Sequence, residues 1–172
     1  MNGLRFDVAQ LVGKPGERRH VEGKLDLDLS VGSSSVAGPV TVAGVVDGIA
    51  DGVMVRLEIR APVHLVCTRC LAEWDEDLEI SAVQVFEPEP DEDGYALERD
   101  DFIDLSGPVR DEVALAIPIR PLCRPDCLGL CPTCGTDLNR EPCGGHEEPS
   151  RSPFAALQGL FDTDSDRTYS DH

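Results

Sequence analysis

The chain has 172 residues, 41% hydrophobic and 5% aromatic, with 33 Asp and Glu against 15 Lys and Arg, a formal charge of −18. That length suits one domain, or a domain plus a small module. The charge excludes a protein whose whole surface grips nucleic acid, because such affinity comes from Lys and Arg neutralising phosphates. No run approaches the ~18 apolar residues of a membrane-spanning helix. Residues 1–7 lack the charged start and apolar run of a secretory leader. The chain is therefore expected in the cytoplasm, where thiols stay reduced and clustered cysteines bind metal rather than form disulfides. The odd count of seven cysteines agrees.

Residues 4–11 read as a first strand, followed by the turn Gly13-Lys-Pro-Gly16. Arg18-Arg19-His20 reads as a solvated loop rather than a phosphate contact. In Lys24-Leu-Asp-Leu-Asp-Leu29 the leucines alternate with aspartates, the period of a half-buried strand. Gly32-Ser-Ser-Ser35 reads as a flexible loop. The most strand-like part comes next. Residues 40–46 lead to the turn signals Asp47-Gly48 and Asp51-Gly52. Val53, Val55, Leu57 and Ile59 then alternate with Met54, Arg56, Glu58 and Arg60. The run continues through His64 to Cys67, and a third run goes from Trp74 to Phe86. Together they predict an antiparallel meander whose second and third strands are joined at Cys67/Cys70.

Residues 87–93, acidic and carrying two prolines, read as a mobile loop. Ser106 is placed to cap a helix with Pro108 in its first turn. Leu105, Val109, Val113, Ala116 and Ile117 share one face at helical spacing, and Pro118 ends the helix near residue 117. Residues 152–161 predict a short C-terminal helix, capped by Ser152, with Phe154, Leu157, Leu160 and Phe161 as its apolar face. Residues 162–172 read as a disordered tail.

The chemistry of the chain concentrates in its cysteines. Cys123, Cys127, Cys131 and Cys134 form a C-x3-C-x3-C-x2-C run, with Cys67-Thr-Arg-Cys70 upstream and Cys143 and His146 downstream. A C-x2-C turn lets two thiolates meet one ion while backbone N–H groups point at the sulfurs. Gly135 suits the left-handed residue after such a turn, and Leu71 stands at the equivalent place in the upstream pair. Seven cysteines and His146 make eight candidate ligands, enough for two closed tetrahedra. One partition is local: Cys123, Cys127, Cys131 and Cys134. The partition preferred here joins Cys67 and Cys70 to Cys123 and Cys127, and Cys131 and Cys134 to Cys143 and His146, so that no cysteine is left over. The ion expected is structural Zn²⁺, one or two per chain. His64 reads as a packed strand residue, and His20 and His172 as solvent-facing. Arg69, Arg120, Arg124 and Arg140 lie near the cysteines in sequence, as expected beside negatively charged thiolate sites, a reading favoured over a local basic face able to touch RNA. No nucleotide-binding, metalloprotease or serine-hydrolase motif occurs, so no enzymatic activity is expected.

The chain resembles the YceD family, the bacterial and plastid large-ribosomal-RNA-subunit accumulation proteins. The resemblance rests on Cys67-Thr-Arg-Cys70-Leu71 after a β run, on residues 118–139 with their Gly-Leu-Cys131-Pro-x-Cys134-Gly135-x-x-Leu138-Asn139 string, and on Ser152-Pro-Phe-Ala-Ala-Leu157. It implies a non-catalytic part in accumulation of 23S ribosomal RNA, in processing, stability or large-subunit assembly. It further implies a large-subunit ribosomal protein or precursor rRNA as partner, with no membrane and no small-molecule substrate. Two rivals are an acidic escort for a basic large-subunit protein without RNA contact, and a zinc- or redox-responsive regulator.

The fold class expected is α+β: a β-rich body over 1–122 with a helix near 106–117, a zinc-stapled cysteine module over 123–146 packed on it, and the C-terminal helix at 152–161.

Overall fold

The computed structural model describes residues 4–92 and 94–146. Nine strands precede one helix: β1 (Arg5–Asp7), β2 (Arg18–Leu25), β3 (Ser30–Val31), β4 (Ser34–Val36), β5 (Val40–Ile49), β6 (Gly52–Val66), β7 (Glu73–Glu87), β8 (Tyr95–Ala96), β9 (Phe102–Asp104) and α1 (Ser106–Ala116). β5, β6 and β7 form the predicted antiparallel meander, with Val46 opposite Val55 and Ile59 opposite Ile80. β2 flanks β5, and the β3–β4 hairpin pairs with the far end of β6. β8 pairs in parallel with the end of β7, and β1 pairs with β9 as a separate small sheet.

β6 carries the core. Val53, Val55, Leu57, Ile59, Ala61, Val63 and Leu65 are buried on one face, while Arg56, Glu58 and Arg60 alternate outward. Burying each of the larger side chains contributes about 1.5–3 kcal/mol. Phe86, Ile103, Leu105, Val109, Val113 and Ile117 close the same core, bringing α1 against the sheet. Gln84 Nε2 donates to Glu112 Oε1 at 2.7 Å and ties α1 to β7.

The expected α+β class is overturned. The described residues are dominated by strands, and α1, eleven residues long, is their single helix. The reason lies in the periodicity: alternation runs through both fifteen-residue strands, β6 and β7, whereas helical spacing is confined to one short stretch. The helix expected at 152–161 and the tail at 162–172 lie outside the described residues. Local readings are also corrected. Only Arg5–Asp7 of residues 4–11 is strand, since Val8 to Lys14 close into turns held by Leu11 N–H to Val8 O and Lys14 N–H to Leu11 O. Arg18-Arg19-His20 opens β2 instead of forming a loop, and β2 ends at Leu25 because its partner strand begins opposite, at Val40. Residues 32–33 turn the β3–β4 hairpin, and Ser34 and Ser35 begin β4. Ser106 does not cap α1; its own N–H is accepted by Asp104 Oδ1 at 2.8 Å. Ile117 is extended before Pro118 and ends the helix as proline requires.

Candidate metal centres

The first centre begins where β6 stops. Cys67 N–H donates to Ala72 O at 2.8 Å and Leu71 N–H to Cys67 O at 3.0 Å, which closes the C-x2-C turn. Leu71 occupies the left-handed region, φ 59°, where a side chain costs roughly 1 kcal/mol that glycine avoids. Pro121 O accepts from Thr68 N–H at 3.0 Å and from Thr68 Oγ1 at 3.3 Å. That contact lays the segment after α1 against the turn and delivers Cys123 and Cys127 to it. Cys70 Sγ lies 3.5 Å from Cys123 Sγ, and Cys67 Sγ 3.8 Å from Cys127 Sγ. All four sulfurs fall within 4.8 Å of one another. A disulfide needs about 2.05 Å, whereas four thiolates about 2.3 Å from one tetrahedral ion sit roughly 3.8 Å apart. The spacing therefore fits a shared ion.

The second centre repeats the turn. Cys131 N–H donates to Thr136 O at 2.8 Å and Gly135 N–H to Cys131 O at 2.9 Å, with Gly135 at φ 74°. His146 Nε2 lies 3.2 Å from Cys131 Sγ, and Cys143 completes a trio within 4.8 Å. Cys134 stands beside the trio rather than in it, with Thr136 Oγ1 3.1 Å from its sulfur.

The thiols are not equivalent. Burial pushes Cys67 up, but hydrogen bonds from the backbone at Cys123, Cys70 and Arg69 outweigh it and hold the thiol down at about 6. Cys123, facing Cys70, is pushed up to about 12. Four thiols this close cannot all shed their protons without a cation among them. In the second centre the Thr136 hydroxyl and N–H hold Cys134 at about 6, and contact with Cys134 and Cys131 raises His146.

The two centres are built on each other. Leu130 N–H donates to Arg69 O at 3.0 Å. Gly129, at φ 80°, passes so close that a Cβ there would meet Arg69 O at 3.0 Å. Asn139 joins them again: its Nδ2 donates to Cys127 Sγ at 3.5 Å, and its Oδ1 accepts from Leu128 N–H and Arg124 at 2.8 Å each.

A family profile described as large ribosomal RNA subunit accumulation protein YceD matches residues 55–161, more than half the chain. The chain belongs to the YceD family. An uncharacterised protein of Mycobacterium tuberculosis H37Rv is 31% identical, covering 95% of this chain and 84% of its own length. An uncharacterised Mycobacterium leprae protein is 28% identical over 88% of this chain and 74% of its own. A Zea mays protein named large ribosomal RNA subunit accumulation protein YCED homolog 1, chloroplastic, is 48% identical over 62 residues, 36% of this chain and 21% of its own. No solved structure matches.

In this YceD chain the eight predicted ligands thus divide into a complete four-cysteine group, a trio of Cys131, Cys143 and His146, and Cys134 at the trio's margin. His64 belongs to neither group; its ring meets Asp75 at 2.8 Å and Glu73 at 3.5 Å on the outer face of the sheet. Two contributors escaped the ligand count, Asn139 and Thr136. Their signal is chemical: a donor side chain two residues past Cys134, and an amide behind the Gly135 turn. Three of the four neighbouring arginines hold loops, and Arg120 is exposed. Arg69 donates to Cys127 O at 2.7 Å, Arg124 also reaches Asp126, and Arg140 pairs with Asp137.

Proposed function

We propose that this chain is a non-catalytic, cytoplasmic factor for accumulation of large-subunit 23S ribosomal RNA, acting in its processing, stability or assembly into the subunit. The observation that carries this reading is family membership, with the local 48% identity to the maize protein named for that role. The centres support a structural part for the metal. Four cysteines this close would fill a tetrahedron from the protein alone and would leave no open position for substrate or water. Thiolate-rich donors with imidazole favour Zn²⁺. Cys67, Cys70, Cys123 and Cys127 would hold one ion, and Cys131, Cys143 and His146, joined by Cys134, a second. The ion would supply cross-links where the segment has little core of its own.

Depletion of the protein in its own host should lower 23S rRNA relative to 16S rRNA, read by northern blot and subunit profiles. An unchanged ratio defeats the reading. Metal analysis of the purified chain should find one or two zinc ions.

A second reading, an acidic escort for a basic large-subunit protein, draws on the charge of −18. Crosslinking in cells separates the two: precursor rRNA favours direct contact, a basic protein favours the escort.

A further inference from the structure

Strand β7 is long, acidic and, among the described residues, open along most of one side. Its neighbours are β6 on the inner side and β8 only at Phe86 and Glu87. From Glu73 to Val83, among the described residues, no strand and no backbone hydrogen bond meets its outer side. Every second N–H and C=O there points away from β6, an edge that invites another strand. The strand carries six acidic residues, Glu73, Asp75, Glu76, Asp77, Glu79 and Glu87, and no Lys or Arg. Val83 and Val85, 59% and 40% exposed, add an apolar end. Glu79 is matched to Arg60, and Glu73 and Asp75 to His64. Glu76 and Asp77 have no cation within ion-pair distance among the described residues.

We propose that the outer edge of β7 receives a Lys- and Arg-rich extended segment of a partner protein, which joins the sheet as a further strand. Main-chain hydrogen bonds would supply the ladder and the acidic side chains the charge match. RNA is the wrong occupant, because carboxylates outnumber the neighbouring cations along this edge and repel phosphates. A second copy is poorly matched. Pairing β7 with β7 sets acid against acid; on the edge strand β2, Arg18 is engaged by Asp47 at 3.3 Å and Arg19 by Asp7 O at 2.9 Å, and the exposed Lys24 shares the strand with Glu22, so β2 offers a shorter and mixed-charge match. The inference rests on the reading of the chain as a factor that works by contact rather than catalysis.

The test uses the full, metal-loaded chain and a labelled eight-residue peptide of alternating lysine and valine. Anisotropy should show binding that weakens with salt, and hydrogen exchange should slow in residues 73–83 and not in β2. Methylating alternate peptide amides removes the ladder donors and should weaken binding at least tenfold. Glu76→Gln with Asp77→Asn should weaken it about tenfold while leaving the fold unchanged. No binding, equal binding of the methylated peptide, or an unaffected double variant overturns the proposal; the acids then serve only to keep the edge unpaired. Outward amides of 73–83 that exchange slowly in the free chain also overturn it. Concentration dependence would then identify a second copy as occupant, and its absence the chain itself. The assay contains no RNA, so its failure leaves the rRNA reading standing, and an unchanged 23S to 16S ratio leaves the edge standing.

Discussion

Residues 40–66 and residues 118–146 are of similar length and are held by opposite means. The first stretch buries a continuous row of valine, leucine and isoleucine between its strands and α1. The second buries only the side chains of Pro121, Cys127 and Cys131, and its β-pairing amounts to one isolated bridge, Leu130 with Asp137, beside scattered turn and loop hydrogen bonds. Burial scales with apolar area, so the first stretch has a core to hold it and the second has little. Nor are the two independent. Thr68 and Arg69, two and three residues past the end of β6, hold Pro121, Cys127 and Leu130 by hydrogen bonds. The sheet acts as a platform for a segment that would not fold unaided.

The largest expected effect breaks the comparison on the cysteine side. Chelation, or Cys127→Ser, should abolish slow amide exchange in 118–140 while β5 and β6 stay protected. Structural zinc contributes on the order of 10 kcal/mol in metal-dependent modules. Metal analysis of Cys127→Ser should find one ion fewer than in the parent. A variant that keeps both metal and protection would remove Cys127 from the ligand set.

On the sheet side, Leu57→Ala should cost about 2–5 kcal/mol, read as a lowered urea midpoint, because Leu57 is fully enclosed. Zinc stoichiometry should not change below the unfolding transition. If the variant sheds zinc while still folded, platform and module are more tightly coupled than the hydrogen bonds imply.

Asn139→Ala probes the join. Removing the amide that faces Cys127 Sγ and holds Leu128 and Arg124 should weaken zinc binding roughly 10–100-fold, as outer-shell changes do. Competition with a chelator reads it. An unchanged affinity would make the Asn139 contact incidental.

The smallest effect is a gain. Leu71→Gly should stabilise the upstream turn by up to about 1 kcal/mol, since Leu71 is exposed and held at φ 59°. The gain should appear as slower metal release with the body's melting temperature nearly unchanged. A loss would mean that the Leu71 side chain contributes packing its exposure does not suggest.

Much of the meander was legible because alternation along residues 53–66 admits a single register with its apolar face inward. The turn at Cys67/Cys70 was legible for the same reason: it falls between two such runs. The ends were less so. Residues 26–29 alternate as cleanly as any strand, yet β5 offers them no partner beyond Val40. The α+β class failed because a run of helical spacing says where a helix is and not how much of the chain it represents.

The sequence by itself determined the ligand types, their C-x2-C spacing and the division of the body into alternating strands, since each follows from local chemistry. It left open which cysteines share an ion. Tertiary structure brought Cys67, Cys70, Cys123 and Cys127 together as one candidate group, by laying Pro121 against Thr68 so that sulfurs some sixty positions apart, Cys67 and Cys127, come within 3.8 Å. It also decided that, among the described residues, β7 keeps a bare acidic edge, because strand order is a property of the assembled sheet and no single strand encodes it.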